Sequence, residues 1–303
     1  MRKFLIVVSL FIFLFVVTNL FLRLIYYQSI PYLLLNNQID KNTRIVVLGS
    51  SNGEFAWNDS IIKNTKNLCL SAQSFNGCYS KLRWTLEYND TQIDTVVLCS
   101  SLVGIGYFSD DKLDVGYEEI NCLFEYKPFF MFFRSQLSYW EHIITHFSDQ
   151  FLMLSRRKPY GGYKYEIHNK LDNPMVFNRI NDLINEIGDE GVLTEDYFLS
   201  HCKYQLFYLR KIKDYCTQHK KKLIILSTPL YRIPDLVDDS GYKQLILHEL
   251  GDSILIADYS KFEFPDSSFY RDLEHLNSRG AEYFSKHIAK NGLELKYAID
   301  YCK

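Results

Sequence analysis

A hydroxyl, an imidazole and a carboxylate lie far apart along this chain, in settings that suit nucleophilic acyl transfer. The hydroxyl belongs to Gly49-Ser50-Ser51-Asn52-Gly53, which closes the apolar, β-branched run Ile45-Val46-Val47-Leu48. Such a run reads as a buried strand, and the glycine and serines after it as a sharp turn at the strand's C-terminal edge. Open α/β sheets bind ligands at that edge, so a serine there is either a polar turn residue or a nucleophile. The imidazole and carboxylate belong to Arg271-Asp272-Leu273-Glu274-His275-Leu276-Asn277, a polar turn ahead of the last helical pattern. An Asp three residues before a His can set its carboxylate against the ring, fix the tautomer and turn the other nitrogen toward a nucleophile. Either motif alone is a weak signal, and the pairing of the two carries the argument. The remaining histidines (142, 146, 168, 201, 219, 248 and 287) lack such a setting and read as surface or core residues.

The rest of the chain reads as a sheet that could position these residues. Strand-like runs recur at Ile45–Gly49, Asn67–Leu70, Thr95–Ser100, Leu223–Ser227 and Ile254–Tyr259, and helical patterns lie between them at about Ser74–Tyr88, Tyr204–His219, Asp238–Leu250 and Ser278–Lys290. This alternation predicts an α/β domain with a five-stranded parallel sheet covered by helices on both faces. For the last helix, Asn277 or Ser278 serves as the cap, with Glu282 favourably placed in the first turn. Roughly a hundred residues, 102–201, interrupt the pattern between the third and fourth strands. They read either as a lid or acceptor-binding insertion or as a structural elaboration with its own core.

The run Phe4–Leu22 carries no charge and is long enough to cross a bilayer, and Arg2 and Lys3 precede it. It is too long for a typical cleaved signal and no small-x-small site follows it. It is therefore expected to be an uncleaved signal anchor with the remainder outside the cytoplasm. Residues 23–42 would then be a membrane-proximal stalk, leading into a domain over 43–303. A net charge of −2 without like-charge runs gives no footprint for nucleic acid. The 23 Tyr and 22 Phe are read mainly as core. The seven cysteines show no Cys-x-x-Cys spacing, and no phosphate-binding glycine loop is present, so neither metal nor nucleotide cofactor is expected.

The serine directly after the first strand, together with Asp272-x-x-His275-Leu276-Asn277-x-x-Gly280-Ala281, resembles the SGNH (GDSL-like) hydrolase superfamily over about residues 43–289. The resemblance implies a three-layer α/β/α sandwich with Ser51, not Ser50, as nucleophile and Asp272 and His275 as acid and base. It also implies an oxyanion hole from the N–H groups of Ser51 and Ala72. Ala72 stands where the family has a glycine, a change that leaves the backbone donor in place. The family's Gly-x-Asn-Asp block has no match after the third strand, where Ser100 or Ser101 would have to replace its side-chain donor. A Gly-Ser-Ser first block resembles that of membrane-anchored, DltD-like members that transfer acyl groups on cell-envelope polymers. The sequence also fits the Gly-x-Ser-x-Gly elbow of α/β-hydrolases. In that fold several strands precede the elbow, however, and the Asp-His spacing is wider. The resemblance therefore implies a membrane-anchored, extracytoplasmic serine esterase or O-acyltransferase acting on acyl esters of envelope or surface glycans. The alternative, suggested by the missing block, is an inactive scaffold of the same fold that binds glycan or protein.

Overall fold

The computed structural model describes residues 3–15, 17–18, 39–71, 73–89, 92–100, 105, 162–163, 165, 199–231 and 240–298. Its centre is a mixed sheet of six strands: β1 (Ile45–Leu48), β2 (Thr65–Asn67), β3 (Thr95–Cys99), β4 (Lys222–Ser227), β5 (Leu255–Asp258) and β6 (Lys296–Tyr297). Their spatial order is β2-β1-β3-β4-β5-β6. The first five are parallel, in registers such as Val47 opposite Val97 and Val97 opposite Ile224. β6 pairs with β5 antiparallel, which corrects the expected five-stranded parallel sheet. This two-residue strand has no hydrophobic run to announce it. It forms because the chain turns back along the edge after the last helix.

Side chains alternate across the sheet with period two, and each face is covered. Val46, Leu48, Val96, Leu98, Leu223, Ile225 and Ile256 pack against α2 (Phe75–Asn89), α3 (Lys203–Gln218) and α4 (Ser240–Leu250). Val47, Val97, Cys99, Ile224, Leu226 and Ala257 face α1 (Ser51–Ala56) and α5 (Ser278–Asn291). In α5, burial of Phe284 and Ile288 contributes about 1.5–3 kcal/mol each, against roughly 1 kcal/mol for an N-cap. Packing, more than capping, therefore holds this helix and the loop before it on the sheet. The cap is Asn277, whose side chain accepts the Gly280 N–H at 3.0 Å. Glu282 is in the second turn, not the first, and pairs with Lys286 at 2.6 Å.

The expected strand at Asn67–Leu70 begins earlier, at Thr65. Beyond Asn67 the chain still follows β1 through Leu68 N–H to Val47 C=O (2.8 Å) and Leu70 N–H to Gly49 C=O (3.1 Å). At the N-terminus, helix is described for residues 3–15 and 17–18, with Phe4, Leu5, Phe11 and Phe13 among its exposed side chains. Among the described residues no helix is long and apolar enough to cross a membrane. The rest of the Phe4–Leu22 run and nearly all of the 23–42 stalk lie outside the described residues, as does most of the insertion.

Candidate active site

The sheet order 2-1-3-4-5 reverses direction between β1 and β3, and the crevice at the carboxyl ends of those strands is where such sheets place ligands. Ser51 sits there, at the first position of α1, directly after β1. The turn that puts it there depends on Gly49, which has φ +149°. A Cβ at this position would also meet Cys99 Cβ at 2.6 Å and Cys99 O at 2.9 Å. α1 is six residues long and its N-cap, Ser50, makes no side-chain capping bond, so tertiary contacts must hold the helix. Asn67 supplies several of them: its amide nitrogen donates to Gly53 O (3.0 Å) and Trp57 O (2.7 Å), and its Oδ1 accepts the Cys69 N–H (2.9 Å). Gly53 lets α1 lie against the Cys69 and Cys99 sulfurs, leaving no room for a side chain there.

The loop before α5 brings the other two groups. Asp272 Oδ1 accepts the backbone N–H groups of Glu274 and His275, each at 2.9 Å, forming an Asx-type turn that folds His275 back over its own acid. Arg271 N–H bonds His275 O at 2.9 Å, and a bridge between Tyr270 and Leu276 closes the loop. His275 Nδ1 lies 2.8 Å from Asp272 Oδ1 and 3.0 Å from Oδ2, while Nε2 lies 2.7 Å from Ser51 Oγ. The carboxylate accepts the proton of Nδ1, which leaves the lone pair of Nε2 facing the hydroxyl. Phe55, one turn along α1 from Ser51, packs edge-on against the His275 ring at 5.4 Å, and the Arg271 guanidinium lies 4.7 Å from the centroid of the Phe55 ring. The loop is thus registered on the nucleophile's own helix. Burial alone would raise the pKa of Asp272. The hydrogen bond and charge of His275, the Glu274 N–H and the Arg271 guanidinium outweigh it and hold the carboxyl below its usual range.

The structure therefore brings Ser51, His275 and Asp272 together across 224 residues of sequence. Two further residues expected at the oxyanion hole, Ala72 and Ser101, lie outside the described residues. Ser100 is buried at the end of β3, where its hydroxyl bonds Tyr242 OH at 3.0 Å and its carbonyl accepts from Ser227 Oγ at 3.3 Å. The described part of the insertion returns to this edge: Gly162 N–H donates to Cys69 O at 2.9 Å, and Tyr163 bonds the Ser278 side chain. Cys69, Cys78, Cys99, Cys202 and Cys216 are buried free thiols, and burial pushes Cys69 well up, so it is a packing group and not a rival nucleophile. Cys122 and Cys302 lie outside the described residues.

Reading the sequence missed the residues that support the triad. Asn67 and Phe55 carry no motif, although the spacing of Phe55, four residues after Ser51, places it on the same side of a helix once α1 is recognised. Among the described residues, no group of three or more His, Cys, Asp or Glu is arranged to hold a metal ion. No protein-family model matches the chain, and no curated protein matches it.

Proposed function

We propose that this chain is a serine esterase or O-acyltransferase of SGNH type. The observation that carries the proposal is the continuous Ser51 Oγ–His275 Nε2 and His275 Nδ1–Asp272 chain of hydrogen bonds at the switch point of the sheet. In the reaction, Ser51 Oγ attacks an ester carbonyl as its proton passes to His275 Nε2. Asp272 stabilises the imidazolium, and the bond to the alcohol breaks as that proton is handed to the leaving oxygen. Water or a sugar hydroxyl then attacks the Ser51 ester by the same route in reverse, which gives hydrolysis or acyl transfer. Backbone donors of Ser51 and Ala72, with Ser101 in place of the missing asparagine, would receive the oxyanion. The five parallel strands, covered on both faces, support the three-layer SGNH-like architecture.

The substrate class in this proposal is an acyl ester of an envelope or surface glycan. The N-terminal helix would anchor the domain outside the cytoplasmic membrane, a reading supported by the exposed apolar side chains over residues 4–15 and the basic Arg2 and Lys3. Protease added to cells with a permeabilised outer layer should digest the domain beyond residue 42, and protection of that domain would reverse the orientation. The chemistry is tested by a serine-reactive phosphonate followed by mass spectrometry of the adduct. Ser51 should be labelled, Ser50 untouched and labelling lost in His275→Ala. A folded wild type that gives no Ser51 adduct, or an adduct that persists in His275→Ala, would leave the inactive-scaffold reading in its place.

A further inference from the structure

A second feature lies beside the nucleophile, on the sheet face opposite α5. A pocket enclosing about 360 Å³, its open mouth included, is bounded by Ser50 and Asn52, by Cys99 and Ser100, and by Gln73, Gln205 and Thr228 among others. Gln73, Gln205 and Thr228 are only 3%, 1% and 2% exposed, yet Gln73 Nε2, Gln205 Nε2 and Thr228 Oγ1 have no hydrogen-bond partner. An orphaned buried polar atom costs about 1–3 kcal/mol. Three around one pocket are a pattern that a bound group would relieve.

The orientation of both amides is fixed by their other ends. Gln205 Oε1 accepts the Phe75 N–H at 2.9 Å, and Gln73 Oε1 accepts from Lys81 Nζ at 3.0 Å. Neither partner can accept, so in each case the free atom is the N–H donor. Lys81, itself buried, also donates to Leu68 O at 2.8 Å, and its charge polarises the Gln73 amide toward stronger donation. Room for the Gln73 side chain over the first turn of α2 comes from Gly77, where a Cβ would sit 2.7 Å from Gln73 Nε2.

On the serine-ester reading above, the leaving alcohol must lie next to His275, which protonates it. The pocket is lined by neither His275 nor Asp272 and flanks Ser51 through Ser50 and Asn52, so it falls on the acyl side. We infer that Gln73, Gln205 and Thr228 form an acyl-selecting pocket for a short acyl group that carries its own oxygen acceptors: a hydroxy-, alkoxy-, keto- or carboxyacyl group. The 360 Å³ includes open solvent and the closed part of the pocket is far smaller, so a long fatty chain does not fit. Two fixed N–H donors beside a buried ammonium also disfavour an aminoacyl cation.

The test compares kcat/KM of the wild-type chain and of Thr228→Val on phenyl esters of acetic, methoxyacetic, succinic and octanoic acids and of glycine. Taking the ratio of wild type to variant cancels the intrinsic reactivity of each ester. Thr228→Val should lower the methoxyacetate-to-acetate and succinate-to-acetate ratios about five- to tenfold, the size expected for one lost hydrogen bond. It should leave the melting temperature unchanged or raised, because the hydroxyl it removes has no partner. Gly77→Ala, which displaces the Gln73 amide without touching Gln205 or Thr228, should lower the same ratios. Calorimetric titration with succinate and methoxyacetate provides a readout that does not depend on turnover. Binding by the wild type that is weakened in Thr228→Val supports the pocket even if Ser51 proves unreactive. Esterolysis with unchanged ratios and no binding of either acid overturns the pocket while the triad stands. A lowered melting temperature in Thr228→Val with unchanged ratios would mean that the site holds structural water only.

Discussion

Replacing Asp272 with asparagine separates the fold of the catalytic loop from its chemistry. The Asp272 Oδ1 accepts two backbone N–H groups at 2.9 Å, and an asparagine oxygen placed there satisfies both. The amide nitrogen then occupies the position of Oδ2, 3.0 Å from His275 Nδ1, and faces it as a donor. The amide oxygen, 2.8 Å from Nδ1, has both lone pairs taken by the two backbone N–H groups, so His275 answers the amide donor with a lone pair on Nδ1, which moves its proton to Nε2 and aims it at Ser51 Oγ across 2.7 Å. An imidazole in that tautomer cannot remove the serine proton. The expected loss is on the order of 10⁴-fold in kcat/KM, equivalent to about 5.5 kcal/mol in the barrier at 1.36 kcal/mol per tenfold. The loop should stay folded, with stability at neutral pH lowered by about 1 kcal/mol, the typical net value of one hydrogen bond. Asp272→Ala should lose activity similarly but destabilise further, because both backbone donors lose their acceptor. The rate of phosphonate labelling at Ser51 and thermal denaturation measure the two effects. Labelling of Asp272→Asn within tenfold of wild type would refute the tautomer argument and with it the role of Asp272.

Acid should erase the stability difference between wild type and Asp272→Asn. The folded carboxyl is held below its ordinary range, so its stabilisation is complete above the unfolded value of about 3.9 and drains away as pH falls through the lower folded value. Urea melts at pH 7 and at about pH 3 would show the convergence, and a constant gap would contradict the shift. Gly49→Ala should cost about 2–4 kcal/mol, since it forces a side chain into φ +149° and against Cys99; a melting temperature within a degree of wild type would exclude that strain. Asn67→Ala removes the amide that ties α1 to the end of β2, with an expected loss of about 2–3 kcal/mol and slower Ser51 labelling, both absent if α1 is held by packing alone. Phe55→Leu should slow labelling about tenfold, with a smaller change in stability, because His275 loses its edge contact and Arg271 its ring.

The alternation of strand and helix was legible because β1, β3 and β4 are buried on both faces and therefore read as unbroken runs such as TVVLC and KLIILS. Ser51 and the Asp272-to-His275 segment were legible for a different reason: each lies at the boundary between an apolar run and a helical pattern, where a polar residue is exposed to the sheet edge. What escaped notice depends on non-local packing. α1 has six residues and no side-chain cap, so nothing local distinguishes it from a loop. Asn67 looked like a strand residue, since its partners at Gly53 and Trp57 are defined only once α1 lies against β2. Gln205 sits on a helix whose burial is decided by α2, and without that contact its amide would have been read as solvated.

The hydrogen bond between His275 and Ser51 spans 224 residues, a separation that has a consequence in time. At roughly 5–20 residues per second of synthesis, the nucleophile is made on the order of ten to forty-five seconds before the base that activates it. Throughout that interval the strands that form the switch point can assemble, but Ser51 remains an ordinary alcohol. Nascent or prematurely terminated chains would therefore be inert toward the esters they pass, and reactivity would arise only when the last helix docks and carries the loop before it into place.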